Sequence, residues 1–506
     1  MGVISGALGL LAKAMLGEFE RASAEPVRAQ EKVLRSLVTS AAATEWGRGV
    51  GLGEVRNLED LRQRVAITRY EDAAPLWHRA FEGACDVTWP GHVDYFALSS
   101  GTTAGNKLLP VTKAAIASNV RAGKILAALM VRRGGMQDLA GGKYVYLGGS
   151  TTLRQRGQSL YGDASGIMSR HIPFYARRRH LPEPDIAALT DWDEKISAII
   201  RRYLAGDIRV LSGCPSWVAL LFKQLLRETA ARGLPARHIG ELWPRLAFFI
   251  SYGMAFDPYR PAFDEFIGRR VHYFDTYSSS EGGLTAIQEE AAGPMRLLVD
   301  NGVFFEFVPA DQMAAPQPPR LHLGEVQEGV DYAVILSTNG GIWAYPLGDI
   351  IRFVSLRPPR IVFAGRTQMM LSAFGEHVTL EMIEQAVAAA CRRTAASVAD
   401  YTIEALYPGP GREKPGHRWL VEFDRAPADA AAFMDTIDRS IRAENEDYDT
   451  HRHADFGMTG PELQTLAPGT FYTWMKDHGK LGGQHKVPRI AKGEMAHELL
   501  QISAHA

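Results

Sequence analysis

Apolar positions along this chain change their period several times, and each change marks an element. Over residues 4–23 they recur at helical spacing, interrupted by Lys13, which predicts an amphipathic helix docked on the protein. Helical patterning continues to about Leu61 and returns over Ala74–Gly83. Val93–Leu98 then has strand composition, and Thr112–Val131 reads as a helix. Lys143–Leu147 is a buried-strand pattern ending in Gly148-Gly149-Ser150. Helical runs at Asp191–Leu204 and Trp217–Arg232 flank a short strand end at Val210–Gly213. Two further strands follow, Arg245–Tyr252 closed by Gly253, and Val271–Tyr277 closed by Ser278–Gly283. Strands alternating with helices, with polar loops at the strand ends, predict an α/β architecture whose ligands sit at the carboxyl edge of the sheet.

From Gly302 the texture changes. Val303–Val308, Tyr332–Ser337, Ile342–Tyr345, Asp349–Val354 and Arg360–Ala364 are short strand patterns separated by Gly and Pro turns, predicting a small β subdomain. Gln312–Pro319 reads as a surface loop. After Gly365-Arg366 the pattern is mixed α+β, with helices at Glu381–Arg392 and Ala430–Asn445 and strands at Tyr401–Ala405 and Arg418–Phe423. This places a domain boundary near Arg366–Met370, between residues 1–366 and 367–506.

Composition narrows the classes. The 506 residues are 46% hydrophobic and 22% charged, as in globular proteins. A net charge of -1 supplies no field for nucleic acid or an anionic membrane. Cys85, Cys214 and Cys391 are far apart, without metal-ligand spacing, and suit a reducing, cytoplasmic compartment. No uninterrupted apolar run reaches the ~20 residues that span a bilayer, so no stable membrane insertion is expected. Val3–Leu16 lacks the basic flank of a signal peptide, though an interfacial membrane contact is the weaker alternative for this segment.

The densest chemistry lies in Ser99-Ser100-Gly101-Thr102-Thr103-Ala104-Gly105-Asn106-Lys107. Four hydroxyls, two glycines and a lysine in one turn suit polyphosphate oxygens, and a strand, such a loop and then a helix is a common phosphate setting. It is not a Walker A loop, because Asn106 separates the last glycine from Lys107 and Leu108 stands where a hydroxyl is needed. A solvated turn is the competing reading of the same residues.

Three more segments join it in order: Tyr277-Ser278-Ser279-Ser280-Glu281-Gly282, then Tyr345-Pro346-Leu347-Gly348-Asp349, then Gly365-Arg366 with Ala373-Phe374-Gly375-Glu376. This ordered set resembles the adenylate-forming superfamily of acyl-CoA synthetases, adenylation domains and luciferases. Within it the chain is most similar to the Gretchen Hagen three family of acyl acid amido synthetases, the auxin- and jasmonate-conjugating enzymes of plants and their bacterial relatives. The likeness covers nearly the whole chain and includes Gln30, Thr44–Arg48, Phe304–Phe307, Asp331-Tyr332 and Gln484–Arg489.

The resemblance implies a large N-terminal α/β domain with a β subdomain and a small mobile α+β C-terminal domain. It implies ATP, Mg²⁺, a carboxylic acid and an amine, usually an amino acid, as cofactors and substrates. The acid is activated as acyl-AMP and then passed to the amine. Ser99, Ser100, Gly101, Thr102 and Thr103 would wrap the phosphates. Lys107 would either reach them or form a loop salt bridge. Tyr277 would flank adenine, Ser280 face the α-phosphate, and Glu281 bind Mg²⁺, unless Glu281 merely serves a helix N-terminus. Asp349 would accept from ribose hydroxyls or cap a turn. Arg366 would contact ribose or phosphate. Lys486, in Gln484-His485-Lys486-Val487-Pro488-Arg489, would be carried by the mobile domain, or be a solvated charge.

The chain also departs from the family. Gln368-Met369 replaces the usual acidic hinge residue, and Pro346 and Leu347 stand where many relatives carry other residues. Ala117-Ser118-Asn119 lacks the arginine of the auxin- and benzoate-binding enzymes, with Arg121 slightly later. No G-x-S-x-G elbow or H-x-x-x-H pair is visible, and His451 and His453 read as loop or surface residues. Leu147–Thr152, Ser165–Phe174 and Met254–Phe256 are candidate acid-pocket walls. An acyl- or aryl-CoA ligase and a non-catalytic acyl-binding protein are the alternatives. Neither the acid, the amine nor the oligomeric state is legible.

Overall fold

The computed structural model describes the chain apart from residues 1, 100–106, 140, 235, 254–255, 257–258, 314, 368–369, 372–373, 377, 410–411, 454–456, 479–486, 492 and 506. Described residues up to Thr367 form one compact unit and those after it a second.

The first unit opens with helices Gly2–Ala24 and Pro26–Ala41. The second of these buries Ala29, Val33, Leu34, Leu37 and Ala41 along one face, the i, i+4 spacing of a core-facing stripe. Gln30 shares that face because all its polar atoms are used. Its Nε2 donates to Val299 O at 2.7 Å and Val303 O at 2.9 Å, and its Oε1 accepts from Phe305 N at 2.8 Å.

The strands are β1 (Tyr95–Ser99), β2 (Lys107–Val111), β3 (Lys143–Leu147), β4 (Arg154–Arg156), β5 (Ser159–Asp163), β6 (His180–Leu181), β7 (Ile208–Gly213) and β8 (Phe248–Ser251). They continue as β9 (His272–Ser279), β10 (Gly283–Gln288), β11 (Met295–Leu297), β12 (Val303–Pro309), β13 (Asp331–Thr338), β14 (Ile342–Leu356) and β15 (Pro359–Arg366). A small sheet has the order β2-β1-β5-β4, and a large one the order β12-β13-β14-β15-β11-β10-β9-β8-β7-β3-β6. Strands β9, β8, β7, β3 and β6 are parallel. Leu147, Gly213, Ser251 and Asp275 stand in register across β3, β7, β8 and β9.

The strands of the β subdomain extend the central sheet, because β15 pairs with β11, Met295 opposite Ile361. Two expectations are corrected here. Ile342–Tyr345 and Asp349–Val354 are one strand, because Gly348 at φ 85° absorbs the irregularity without ending the ladder. The Ser99–Lys107 loop does not lead into a helix. It joins β1 to antiparallel β2, with Ser99 opposite Lys107, and the next helix starts only at Lys113.

That helix, Lys113–Gly134, has the length and apolarity to cross a bilayer. Here it packs Ala122, Ile125, Leu129 and Met130 into a core with Phe19, Phe248 and Phe274. Its N-cap Thr112 accepts from Ala115 N at 3.1 Å.

The second unit contains the short pair β16 (Met370–Leu371) and β17 (Val378–Thr379) and the sheet of β18 (Ser397–Leu406), β19 (Gly416–Arg425) and β20 (Glu462–Leu466). Helices Leu380–Thr394 and Ala430–Glu444 accompany it. Glu376 is fully buried, accepts from Phe374 N at 2.7 Å and lies 3.0 Å from His417 Nε2. Burial pushes its carboxyl up, but the bond and charge of His417 outweigh this and hold it below its usual range. His451 is buried on helix Glu446–Arg452, not at the surface as its sequence setting suggests.

Candidate functional site

The parallel strand β9 turns into antiparallel β10 through Ser280–Gly282, so the Tyr277–Gly282 motif forms a hairpin tip. Glu281 therefore stands in a turn, and the helix-terminus reading of it does not apply. Gly282 N donates to Ser279 Oγ at 3.0 Å, closing the turn. Gly283 has φ 67°, and a Cβ there would stand 2.4 Å from the Asn119 amide. Asn119 Oδ1 accepts from Leu284 N at 3.0 Å, so helix Lys113–Gly134 buttresses the hairpin directly.

Three of the expected residues converge beneath this tip. Tyr277 Oη donates to Asp349 Oδ2 at 2.8 Å, and Arg366 Nε lies 2.9 Å from Asp349 Oδ1. Asp349 and Arg366 are opposite partners on β14 and β15, so the ladder itself sets the ion pair. Asp349 thus sits within a strand, not in a turn. Burial raises the Tyr277 hydroxyl far above its ordinary value, with the Asp349 carboxylate adding to the effect.

A second pair faces the same place. Lys107, first residue of β2, donates from Nζ to Tyr345 Oη at 3.1 Å. The ammonium lies 5.5 Å from the Tyr70 ring centroid and 5.7 Å from that of Tyr345, an aromatic cradle for a cation. Tyr70 is itself held by Leu108 N, which donates to its Oη at 2.9 Å. Burial raises the Glu281 carboxyl above the usual range. The Lys107 and Arg366 charges oppose that rise and Asp349 adds to it, so all four groups share one field.

Ser280 lies in the hairpin tip beside Glu281, partly exposed. Ser99 ends β1. Ser100, Gly101, Thr102, Thr103 and Lys486 lie outside the described residues, as do Gln368, Met369, Met254 and Ala255. Arg121 is committed elsewhere, in a bidentate pair with Asp300 at 2.7 and 3.0 Å. The cradle tyrosines Tyr70 and Tyr345 were not singled out as site residues. Tyr345 heads its own motif, but Tyr70 carries no local signal.

No cluster of three or more His, Cys, Asp or Glu that could cage a metal occurs among the described residues. Mg²⁺ needs no such cage, since it binds through one or two carboxylates, substrate phosphates and water. A half-buried Glu281 beside a cradled lysine fits that demand.

A parallel sheet with an antiparallel extension thus carries the Tyr277–Asp349–Arg366 cluster and sets Glu281 in the field of Lys107. The whole chain superposes on an acyl acid amido synthetase, GH3.15, solved in complex with 2,4-DB, with a TM-score of 0.59 at 17% identity over 97% of this chain and 96% of that one. The chain belongs to the GH3 family: its N-terminal domain model matches residues 15–188, its central domain model 296–366 and its C-terminal domain model 381–494. Among curated relatives, indole-3-acetic acid-amido synthetase GH3.8 of Oryza sativa subsp. indica is 24% identical over 94% of this chain and 90% of its own length. Jasmonoyl--L-amino acid synthetase JAR4 of Nicotiana attenuata is 21% identical over 96% and 95%.

Proposed function

We propose that this protein is an ATP-dependent acyl acid amido synthetase, a carbon–nitrogen ligase that joins a small carboxylic acid to an amine, an amino acid in the first instance. The observation that carries the reading is the placement of Tyr277, Asp349 and Arg366 in one bonded cluster beside Lys107 and Glu281. The named activities of the relatives support it.

In the first half-reaction a carboxylate oxygen attacks the α-phosphorus of ATP and pyrophosphate leaves. In the second, the amine nitrogen attacks the acyl carbon, AMP leaves with the bonding pair, and the amine proton passes to solvent. Two anions must meet in the first step, so positive potential and donors aimed at the phosphates do most of the work. Ser99, Ser100, Gly101, Thr102 and Thr103 wrap the phosphates. Lys107 adds a charge that its tyrosine cradle holds in place. Ser280 donates toward the α-phosphate. Tyr277 flanks the adenine and orients Asp349, which accepts from the ribose hydroxyls with Arg366 beside it. Glu281 would hold Mg²⁺, which when bound neutralises phosphate charge. Lys486 contributes its ammonium during adenylation. Residues 367–506 form the mobile C-terminal domain, and three free cysteines support a cytoplasmic setting.

The test is carboxylate-dependent ATP–pyrophosphate exchange over a broad acid panel. Mass spectrometry of products formed with each amino acid, simple amines and coenzyme A then follows. Amide products are expected; thioesters alone would make the protein an acyl-CoA ligase, and no exchange with any acid would leave a binding protein.

A further inference from the structure

Phe174 is the most exposed large apolar side chain among the described residues, at 81%, and its neighbour Tyr175 is 58% exposed. Their rings meet edge to face, with centroids 5.7 Å apart and planes at 81°. Both stand on a single helical turn, Phe174–Arg177, which the reaction above does not use. Apolar residues exposed singly are ordinary, but an adjacent aromatic pair this exposed marks a contact surface.

The same segment concentrates positive charge. Residues 164–182 contain Arg170, Arg177, Arg178 and Arg179 and no aspartate or glutamate, in a chain whose net charge is -1. All four arginines are exposed. Arg177 Nε donates to Ile172 O at 3.0 Å, and none of the four has a carboxylate partner among the described residues. Burial holds the His171 imidazole below its usual range, the Arg170 and Arg177 charges lower it further, and Asp94 opposes them. Asp94 is itself engaged by His92 and Lys113.

The backbone beneath is firmly seated. Ala176 N and Arg177 N donate to Pro173 O at 2.8 and 3.2 Å, and Arg179 N donates to Ala176 O at 2.9 Å. Lys143 Nζ donates to Arg178 O at 2.8 Å and Tyr144 N to Arg179 O at 2.7 Å, which ties the segment to β3.

We propose that this turn is a peripheral docking surface for an anionic lipid bilayer, with Phe174 and Tyr175 entering the headgroup layer and the arginines pairing with lipid phosphates. Aromatic side chains favour the headgroup level, and guanidinium forks match phosphate oxygens. Other polyanions fit less well. An acidic peptide adding as a strand finds no edge, because edge strand β6 has two residues and is followed by Pro182, which has no N–H. Single-stranded nucleic acid needs ring faces in a row along a basic groove, whereas these rings lie at 81° to each other. Phe174 also ends the Ser165–Phe174 stretch expected to wall the acid pocket, but a side chain this exposed encloses nothing. The attachment is reversible, since each arginine near an anionic surface is worth only about fivefold in partitioning and the two rings insert shallowly.

Vesicle co-sedimentation of the full chain tests this, with phosphatidylcholine alone and with about 30% phosphatidylglycerol, at ~50 and ~500 mM salt. Binding is expected only to the anionic vesicles and should fall more than about tenfold at the higher salt. Arg177→Glu with Arg178→Glu and Arg179→Glu should lower it more than about tenfold, and Phe174→Ser with Tyr175→Ser several-fold. Arg28→Glu with Arg35→Glu, reversing two exposed arginines paired to glutamates on another face, should change it less than about twofold. Phe174→Trp keeps every charge, and its emission, read as the difference from wild type, should shift to the blue on anionic vesicles. No binding at low salt, binding indifferent to both sets of substitutions, or no Phe174→Trp shift on bound vesicles overturns the inference. Tighter binding to polyglutamate or to a single-stranded oligonucleotide than to vesicles of equal charge also overturns it. Should a charge-reversed variant melt below the wild type, the Phe174→Trp shift decides.

Discussion

Glu281, in the tip of the β9–β10 hairpin, and Asp349, on β14, are two acids in one field, and their surroundings hold them in different ways. Asp349 is compensated by the Tyr277 hydroxyl and the Arg366 guanidinium. Glu281 is desolvated, and its folded-state pKa lies above its unfolded value. Its contribution to stability is therefore full below about pH 4.5 and is lost as pH rises through the folded value. At neutral pH its charge costs stability, so Glu281→Gln should be at least as stable as the wild type at pH 7. It should nevertheless lose roughly a hundredfold or more of exchange activity. Thermal melts at pH 4 and 7 and exchange rates check this, and a fully active Gln variant would remove Glu281 from the chemistry. Asp349→Ala has the opposite profile. Stranding Tyr277 and Arg366 should cost about 2–3 kcal/mol of stability and raise the KM for ATP about tenfold or more. A lowered melting temperature with an unchanged KM for ATP would make Asp349 architectural. The identities of these residues were legible from their motifs, but their mutual bonds were not. Tyr277 and Asp349 are 72 positions apart and meet only because β9 and β14 belong to one sheet.

At the scale of elements, the hairpin β9–β10 decides where Ser280 and Glu281 stand. Its geometry depends on Gly283, whose positive φ and contact with Asn119 both exclude a side chain. Gly283→Ala should cost about 1–3 kcal/mol and depress exchange, because the tip shifts with the turn. Unaltered melting and activity would show that the Asn119 side chain simply yields. The period of the sequence anticipated β9 but not β10 or β11. β10 is entered through Gly282-Gly283, and β11 has three residues after Gly293-Pro294, so no alternation accumulates. The join of β1 to β2 was hidden for a related reason. Lys107–Val111 contains Pro110 and only five residues, and it becomes a strand by pairing with Tyr95–Ser99. In the second unit, Arg489 anchors the stretch after Lys486. It lies 4.2 Å over the Tyr401 ring and donates to Tyr401 O at 3.1 Å, while Ile403 N donates to Arg489 O at 2.9 Å.

At the scale of the whole molecule, the proposed reaction divides its labour in time. A lysine from the C-terminal part assists while charge builds on the phosphates, and the amine later needs a clear path to the acyl carbon. Lys486→Ala should therefore slow acyl-adenylate formation strongly and leave aminolysis of a supplied acyl-adenylate near normal. The two half-reactions, run separately, decide the matter. Equal losses in both would point to misfolding, and no loss in either would return Lys486 to a solvated charge.

The sequence by itself determined the α/β class, the long helices and the ordered motifs that carry the family likeness. These are properties of local period and of short contiguous motifs, which are readable without knowing what pairs with what. The tertiary structure decided what depends on pairing between distant segments. It merged the β region with the central sheet through β11 and β15, and it placed Asp349 opposite Arg366 by register. It enclosed Lys107 between Tyr70 and Tyr345, and it withdrew Arg121 into a pair with Asp300. Each of these joins groups far apart in the chain. Local pattern has no access to such contacts, because hydrogen-bond register and side-chain packing fix them only once the sheet has formed.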